Sequence, residues 1–317
     1  MKSNIARLSV ILLILTLACS LFGQTQFKVA ADSSSGTYNL MLGQIIDQCS
    51  TDQFTIVPVN SNGGGAVGNL DALVNNKVDA AFLHSDVYIF NANTDPTYNR
   101  YKTLIAGWPE PIHVLVLRNS KTSKAGTFAI GKLQINSLSD LMGNNFKVGA
   151  AGGGVKTATI LSQQGGANFQ VMDMQSGGAV IPALDNGTID AAIFVGAAPL
   201  PNFDKINKAN YKLVPVGDAI GGRVSNMYRQ AKINYPTLTQ GPITTLAPIA
   251  TLLSKNFSTP AKVQGLAQMR ACFAEKLGWL QDNGSPNWQD VTPNDHGIPT
   301  IPWLDLPAVS APVRSKK

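Results

Sequence analysis

Short apolar runs alternate with stretches of helical periodicity along most of this chain. Phe27–Ala31, Phe54–Val59 and Asp79–Leu83 read as strands, and Tyr38–Cys49 reads as a helix. A further helix starts at Ser85–Asp86, and Ile112–Leu117 is an apolar strand. Asn119–Asn136, rich in Ser, Thr, Lys and Gly, reads as a surface excursion. The alternation then restarts. Leu138–Met142 is a short helix, Phe146–Ala150 a strand, Gly152–Gln164 a glycine-started helix and Phe169–Met172 a strand. Tyr211–Val216 is another strand, Thr245–Leu253 is apolar and β-leaning, and Pro260–Gln281 carries the longest helical pattern. Such alternation implies mostly parallel sheets with covered faces, which place ligands at the carboxyl ends of strands.

Two stretches are near-copies of each other. Gly64–Phe82 and Gly177–Ile193 share a diglycine, Ala-Val, an apolar-periodic segment, a break at Asn75–Asn76 or Asn186–Gly187, then Val/Ile-Asp-Ala-Ala. Each reads as a helix opened by glycines and followed by a buried strand. One in each half of the chain suggests two similar α/β lobes. A glycine-rich helix start leaves backbone N–H groups free to hold an anion or carboxylate. The competing reading is a plain loop-to-helix junction. The glycine-rich loops 33–37, 62–65, 152–154 and 176–178 all follow a strand and precede a helix.

Residues 1–23 read as a secretory signal peptide: Lys2 and Arg7 precede the apolar run Leu8–Leu17, with cleavage expected after Gly23. The alternative is processing before Cys19 with lipid attachment. Removing the signal leaves Cys49 and Cys272, a pair that invites a disulfide in an oxidising compartment; two separate buried thiols are the alternative. The net charge of +6 falls to near neutral once the signal and the basic, Pro- and Ser-rich tail are set aside, the tail being expected to be disordered from about 308. Nucleic-acid binding is therefore not indicated. No Cys-x-x-Cys occurs and His84, His113 and His296 stand apart, so no metal site is expected. Catalysis is not expected either: the glutamates are Glu110, boxed between prolines, and Glu275, and there is no nucleophile elbow.

At the glycine loops the sequence resembles a known family. Ser35-Gly36-Thr37-Tyr38, Gly64-Gly65-Ala66-Val67-Gly68-Asn69-Leu70, Asp79–Val87, Pro109-Glu110-Pro111-Ile112-His113 and Phe194–Pro199 are similar, in order, to motifs of the TRAP-transporter-associated extracytoplasmic immunogenic (TAXI) solute-binding proteins. The resemblance runs from about residue 27 to about 200. It implies a type II periplasmic binding-protein fold: two α/β lobes joined by crossing strands, closing on a small solute. Lobe one would comprise 24–112 and 241–317, and lobe two 113–240. It also implies a periplasmic, monomeric protein without cofactor, which delivers a carboxylate or amino-acid-like solute to a TRAP-type membrane subunit. A sensor or interaction protein of the same fold is the alternative.

The ligand contacts expected are Ser35, Gly36, Thr37, Tyr38, Gly64, Gly65, Ala66, His84, Ser85, Asp86, Gly152, Gly153, Gly154, Lys156 and Phe194. Simple helix capping competes for Thr37, Ser85 and Asp86, and packing for Tyr38. A structural role competes for His84, and a solvated helix position for Lys156. The chain also departs from the family. Its loop Ala151–Val155 lacks the hydroxyls of the family's Pro-Gly-Ser-Gly-Thr, and His84 replaces a Gln. Lys156 is the expected compensating group.

Overall fold

The computed structural model describes residues 25–33, 36–51, 54–61, 64–119, 121–122, 133–293, 298 and 301–309. The expected signal peptide, Cys19, Ser35, His296 and the tail beyond 309 lie outside these residues.

Two five-stranded sheets organise the chain. The strands are β1 (Thr25–Ala30), β2 (Phe54–Val59), β3 (Ala80–His84), β4 (Tyr101–Pro109), β5 (Ile112–Leu117), a two-residue pair β6 (Lys121–Thr122) and β7 (Leu133–Gln134), β8 (Lys147–Ala150), β9 (Gln170–Asp173), β10 (Ala191–Val195), β11 (Tyr211–Val214), β12 (Arg229–Ile233), β13 (Ile243–Ala247) and β14 (Ile249–Lys255). The helices are α1 (Thr37–Cys49), α2 (Gly65–Val74), α3 (Ser85–Thr94), α4 (Gly153–Gln163), α5 (Gly177–Asp185), α6 (Asp218–Val224) and α7 (Pro260–Asn283).

The first sheet has the order β2-β1-β3-β14-β4 and the second β11-β5-β10-β8-β9. Read from the opposite edge, the second repeats the first. A parallel triplet, β2-β1-β3 or β9-β8-β10, is followed by an antiparallel strand, β14 or β5, and then by another antiparallel to it, β4 or β11. This is the mixed α/β architecture of two lobes that the resemblance implies.

The near-copied stretches account for the likeness in detail. In each, a helix (α2 or α5) leads into the third parallel strand, and the Asp before that strand plays the same part. Asp79 Oδ2 accepts the Lys28 N–H at 2.9 Å while the Asp79 N–H donates to Lys28 O at 2.8 Å. Asp190 does the same with Lys147, at 2.8 and 2.7 Å. A carboxylate one residue ahead of a parallel strand thus pins its neighbour's register.

The chain passes from the first sheet to the second through Glu110–Pro111, between β4 and β5; beside this crossing, Pro248 leads from β13, which pairs with β12 in a separate two-stranded sheet, into β14 of the first sheet. The two passages are tied by Glu110 N–H to Pro248 O, 2.9 Å, and by Thr245 Oγ1 to Ile112 O, 2.8 Å. Thr245–Leu253 is therefore not one strand: Pro248, which lacks an N–H, divides it between two sheets. β4 was not expected from the sequence, because Gly107-Trp108-Pro109 interrupts its apolar run. In the structure Gly107 lets β14 approach, since a Cβ there would stand 2.6 Å from Ala250 O.

Helices α1 and α7 pack together over the first sheet, and a disulfide joins Cys49 to Cys272, with Cα atoms 5.7 Å apart. One apolar core cluster runs beneath both sheets, from Leu70, Leu83 and Val87 to Val148, Ile160 and Val216.

Candidate functional site

A cavity of about 680 Å³ lies between the two sheets, at the carboxyl ends of their parallel strands. The N-termini of α1, α2, α4 and α5 open onto it. Each of the loops that lead to them carries a lining residue with positive φ: Asp32 (63°), Gly65 (54°), Gly152 (55°) and Gln175 (61°). A left-handed residue turns the chain sharply from strand to helix, so the helix's first N–H groups face inward. Glycine meets that demand at two of these positions; Asp is among the side chains that tolerate it.

The α2 loop is held from beneath by Asn69, which is fully buried. Its Nδ2 donates to Phe82 O at 2.7 Å, and its Oδ1 accepts from the Asp32 N–H at 3.0 Å and the Ser61 hydroxyl at 2.6 Å. One side chain thus ties together the loops after β1 and β2 and strand β3. Gly64 serves the same loop sterically, because a Cβ there would lie 2.6 Å from Gly68 Cα.

The halves come closest where α2 faces α4. A Cβ on Gly65 would be 3.7 Å from Gly153 N, and one on Gly153 would be 2.9 Å from His84 Cε1 and 3.2 Å from Ala66 Cβ. Glycine at 153 is therefore a condition of this approach, not only a source of free N–H groups.

Of the residues expected at the site, Gly36, Thr37, Tyr38, Gly65, Ala66, His84, Gly152, Gly153, Gly154 and Phe194 line the cavity together. Thr37 is the first helical residue, with Gly36 as the cap, and no side-chain capping bond forms there. Tyr38 stacks on Phe82 with ring centroids 5.7 Å apart, and its hydroxyl donates to Glu110 Oε2 at 2.7 Å. Phe194 meets Phe203 edge-on at 5.5 Å.

Gly64, Ser85, Asp86 and Lys156 are not among the lining residues. Ser85 and Asp86 are fully buried and committed elsewhere. Ser85 Oγ accepts the Ile249 N–H at 2.9 Å, which ties α3 to β14. Asp86 Oδ2 accepts the Thr157 hydroxyl at 2.7 Å and the Tyr228 hydroxyl at 3.0 Å, while Oδ1 accepts the Val87 N–H at 2.8 Å. This carboxylate joins the first half to the second. Burial, with Asp86 adding to it, pushes the Tyr228 hydroxyl well above the ordinary tyrosine range, so it stays a donor. Lys156 lays its ammonium 5.1 Å from the Phe90 ring centroid. As placed, its ammonium lies outside the cavity lining.

The structure adds Asp32 and Glu110 to the lining, along with 196–202 after β10 and 285–287 after α7. Glu110 is 3% exposed and stands 3.3 Å from His84 Nε2 through Oε2. Burial raises its carboxyl above the ordinary range, opposed by His84 and by the Tyr38 hydrogen bond. A carboxylate between two prolines in an apolar stretch was the available signal for it. Among the described lining residues there is no Lys or Arg. Positive potential at this cavity comes from helix N-termini, with His84 as the lining side chain able to carry a positive charge. Among the described residues no His/Cys/Asp/Glu group is placed to hold a metal, and no helix is long and apolar enough to cross a membrane.

A model of the NMT1-like family matches residues 29–256. Among solved structures, the chain is similar to an amino acid ABC transporter substrate-binding protein from Streptococcus pneumoniae bound to L-arginine, at 16% identity over 84% of this chain and 95% of that one, TM-score 0.45. It is similar to an arginine transport system periplasmic binding protein from Legionella pneumophila at 13% identity, over 85% and 100%, TM-score 0.47. It is also similar to the zinc-bound ligand-binding component of an ABC-type import system from Staphylococcus aureus at 12% identity, over 89% and 86%, TM-score 0.49. No curated protein sequence matches the chain.

Proposed function

The chain belongs to the NMT1-like family, and from that premise we propose that it is an extracytoplasmic solute-binding protein that captures one small anionic solute, a carboxylate or an amino-acid-like molecule. The observation that carries this reading is the convergence of the α1, α2, α4 and α5 N-termini, from both halves, on one cavity. Aligned peptide dipoles favour negative charge at these ends, and at α2 a carboxylate of the chain already takes that place, since the Gly65 N–H donates to Asp32 Oδ1 at 3.2 Å. The Asp32 carboxylate offers an acceptor for an ammonium group of the same solute. The side-by-side passages at Glu110–Pro111 and Pro248 support a discontinuous first half around 24–112 and 241–317 and a second around 113–240, with the return nearer Pro248 than 241, because β13 pairs with β12. They also provide the place about which the halves would move.

In the finer form of this proposal the protein is a periplasmic monomer of the TAXI type that serves a TRAP-type membrane subunit. The motif order from Gly36 to Pro199 supports that assignment, and a fused TRAP membrane subunit encoded beside this gene would add to it. The solute is tested by thermal-shift screening of amino acids, dicarboxylates and oxo acids, on protein unfolded and refolded to strip any co-purified ligand. A solute at about 100 times its dissociation constant stabilises the fold by about 2.7 kcal/mol, which is a readily measured shift. A complete screen without a hit overturns the proposal.

A further inference from the structure

His84 ends β3 at the point where the α2 and α4 N-termini meet, and it is 6% exposed. Its two nitrogens have different surroundings. Nε2 stands 3.3 Å from Glu110 Oε2, the oxygen that also accepts the Tyr38 hydroxyl. Nδ1 is buried with no hydrogen-bond partner. The nearest carboxylate oxygen to it, Asp86 Oδ1, is at 4.0 Å and already accepts the Val87 N–H. Nδ1 faces the start of α4, where a Cβ on Gly153 would come within 3.2 Å of it. A buried ring nitrogen without a partner is uncommon and disfavoured. This one is directed at the place where two helix N-termini gather positive potential.

Resting on the reading of the cavity as an anion site, we infer that His84 is its specificity-determining residue: when the halves part and Gly153 draws back from the ring, the entering anion accepts a hydrogen bond from Nδ1–H, and the ring takes a proton from the buffer as the anion binds. The neutral imidazole becomes an imidazolium, with the Glu110 carboxylate on Nε2 as its counter-charge. The other charged and titratable groups around the ring are Tyr38 from α1, Asp86 from α3 and, on the same cavity lining, Asp32 from the loop after β1. β14 presents Ala250 opposite His84, and α4 presents Gly153, neither of which titrates. The imidazolium is thus the one side-chain cation available among the described lining residues. It supplies, from the first half, the donor that the Ala151–Val155 loop lacks in the second.

Calorimetry of the full chain with L-glutamate, succinate and 2-oxoglutarate as probes, in buffers of different ionisation enthalpy, counts the protons taken up. Titrations at about pH 6 and about pH 8 span the range in which histidine changes charge. In the wild type, a bound probe should draw in up to one proton per molecule at the higher pH. Its affinity should fall with rising pH, by at most about tenfold per pH unit. His84→Gln should bind the same probe more weakly, with no proton uptake and no pH dependence. Glu110→Gln should also lower the uptake by removing the counter-charge. Circular dichroism shows whether each variant is folded; if His84→Gln is not, the wild-type proton count and Glu110→Gln decide. Binding without proton uptake in the wild type, or uptake that persists in folded His84→Gln, overturns this inference and leaves the solute-binding reading standing. No binding by any probe at either pH overturns the anion-site reading and this inference with it.

Discussion

Asp86→Ala separates a carboxylate that holds the halves together from one that holds a ligand. The side chain is fully buried, and its Oδ2 accepts hydroxyls from Thr157 and Tyr228, both contributed by the second half. Truncation strands two buried donors, each at about 1–3 kcal/mol, so the loss should be roughly 2–5 kcal/mol once relief of a buried carboxylate is allowed for. Thr157→Val and Tyr228→Phe should each cost about 1–2 kcal/mol. Added to Asp86→Ala, either should be nearly neutral, because the bond it removes is already gone. Urea unfolding of the wild type, the singles and the doubles measures these couplings. If Asp86→Ala unfolds at the wild-type midpoint but loses solute binding, or if the singles add without coupling, the tie is not what this carboxylate provides.

Other consequences follow from particular contacts. The disulfide between Cys49 and Cys272 closes a loop with a sequence separation of 223; replacing both cysteines by Ser should lower unfolding stability by about 2–5 kcal/mol in denaturant titrations. His113 is fully buried, and burial lowers its pKa to about 4. The unfolded chain binds this proton more readily, so stability should decline as pH falls from the ordinary histidine value toward about 4. The decline is roughly 3 kcal/mol over that window, and it should flatten in His113→Gln. Gly153→Val should leave each half folded yet weaken solute binding at least tenfold by titration, since its Cβ would meet His84 and Ala66.

Much of this arrangement was legible in the residues. The copied Gly-Gly-Ala-Val segments located α2 and α5 and the strands behind them, because periodicity and glycine punctuation are local signals. Asp79 and Asp190 read as strand-start residues and hold their neighbours' backbones. Other features depend on partners distant in the chain. Asp86 has the sequence of a helix-start acid, and its engagement depends on Thr157 and Tyr228, far along the chain. Lys156 follows a glycine loop, yet the turn of α4 directs it to Phe90. β4 was hidden because its Gly-Trp-Pro ending reads as a turn until β14 is seen packing against Gly107. Glu110 looked enclosed between prolines; the crossing of the two chain segments brings it to His84 and Tyr38.

The most direct test of the central claim is a crystal structure of the full chain grown with a saturating solute from the screen. The account predicts one molecule enclosed between the sheets, its acidic oxygens within about 2.7–3.2 Å of the backbone N–H groups of Ala66 and Gly153 and beside His84. A solute bound elsewhere on the surface, or a cavity that stays empty at saturation, would contradict it.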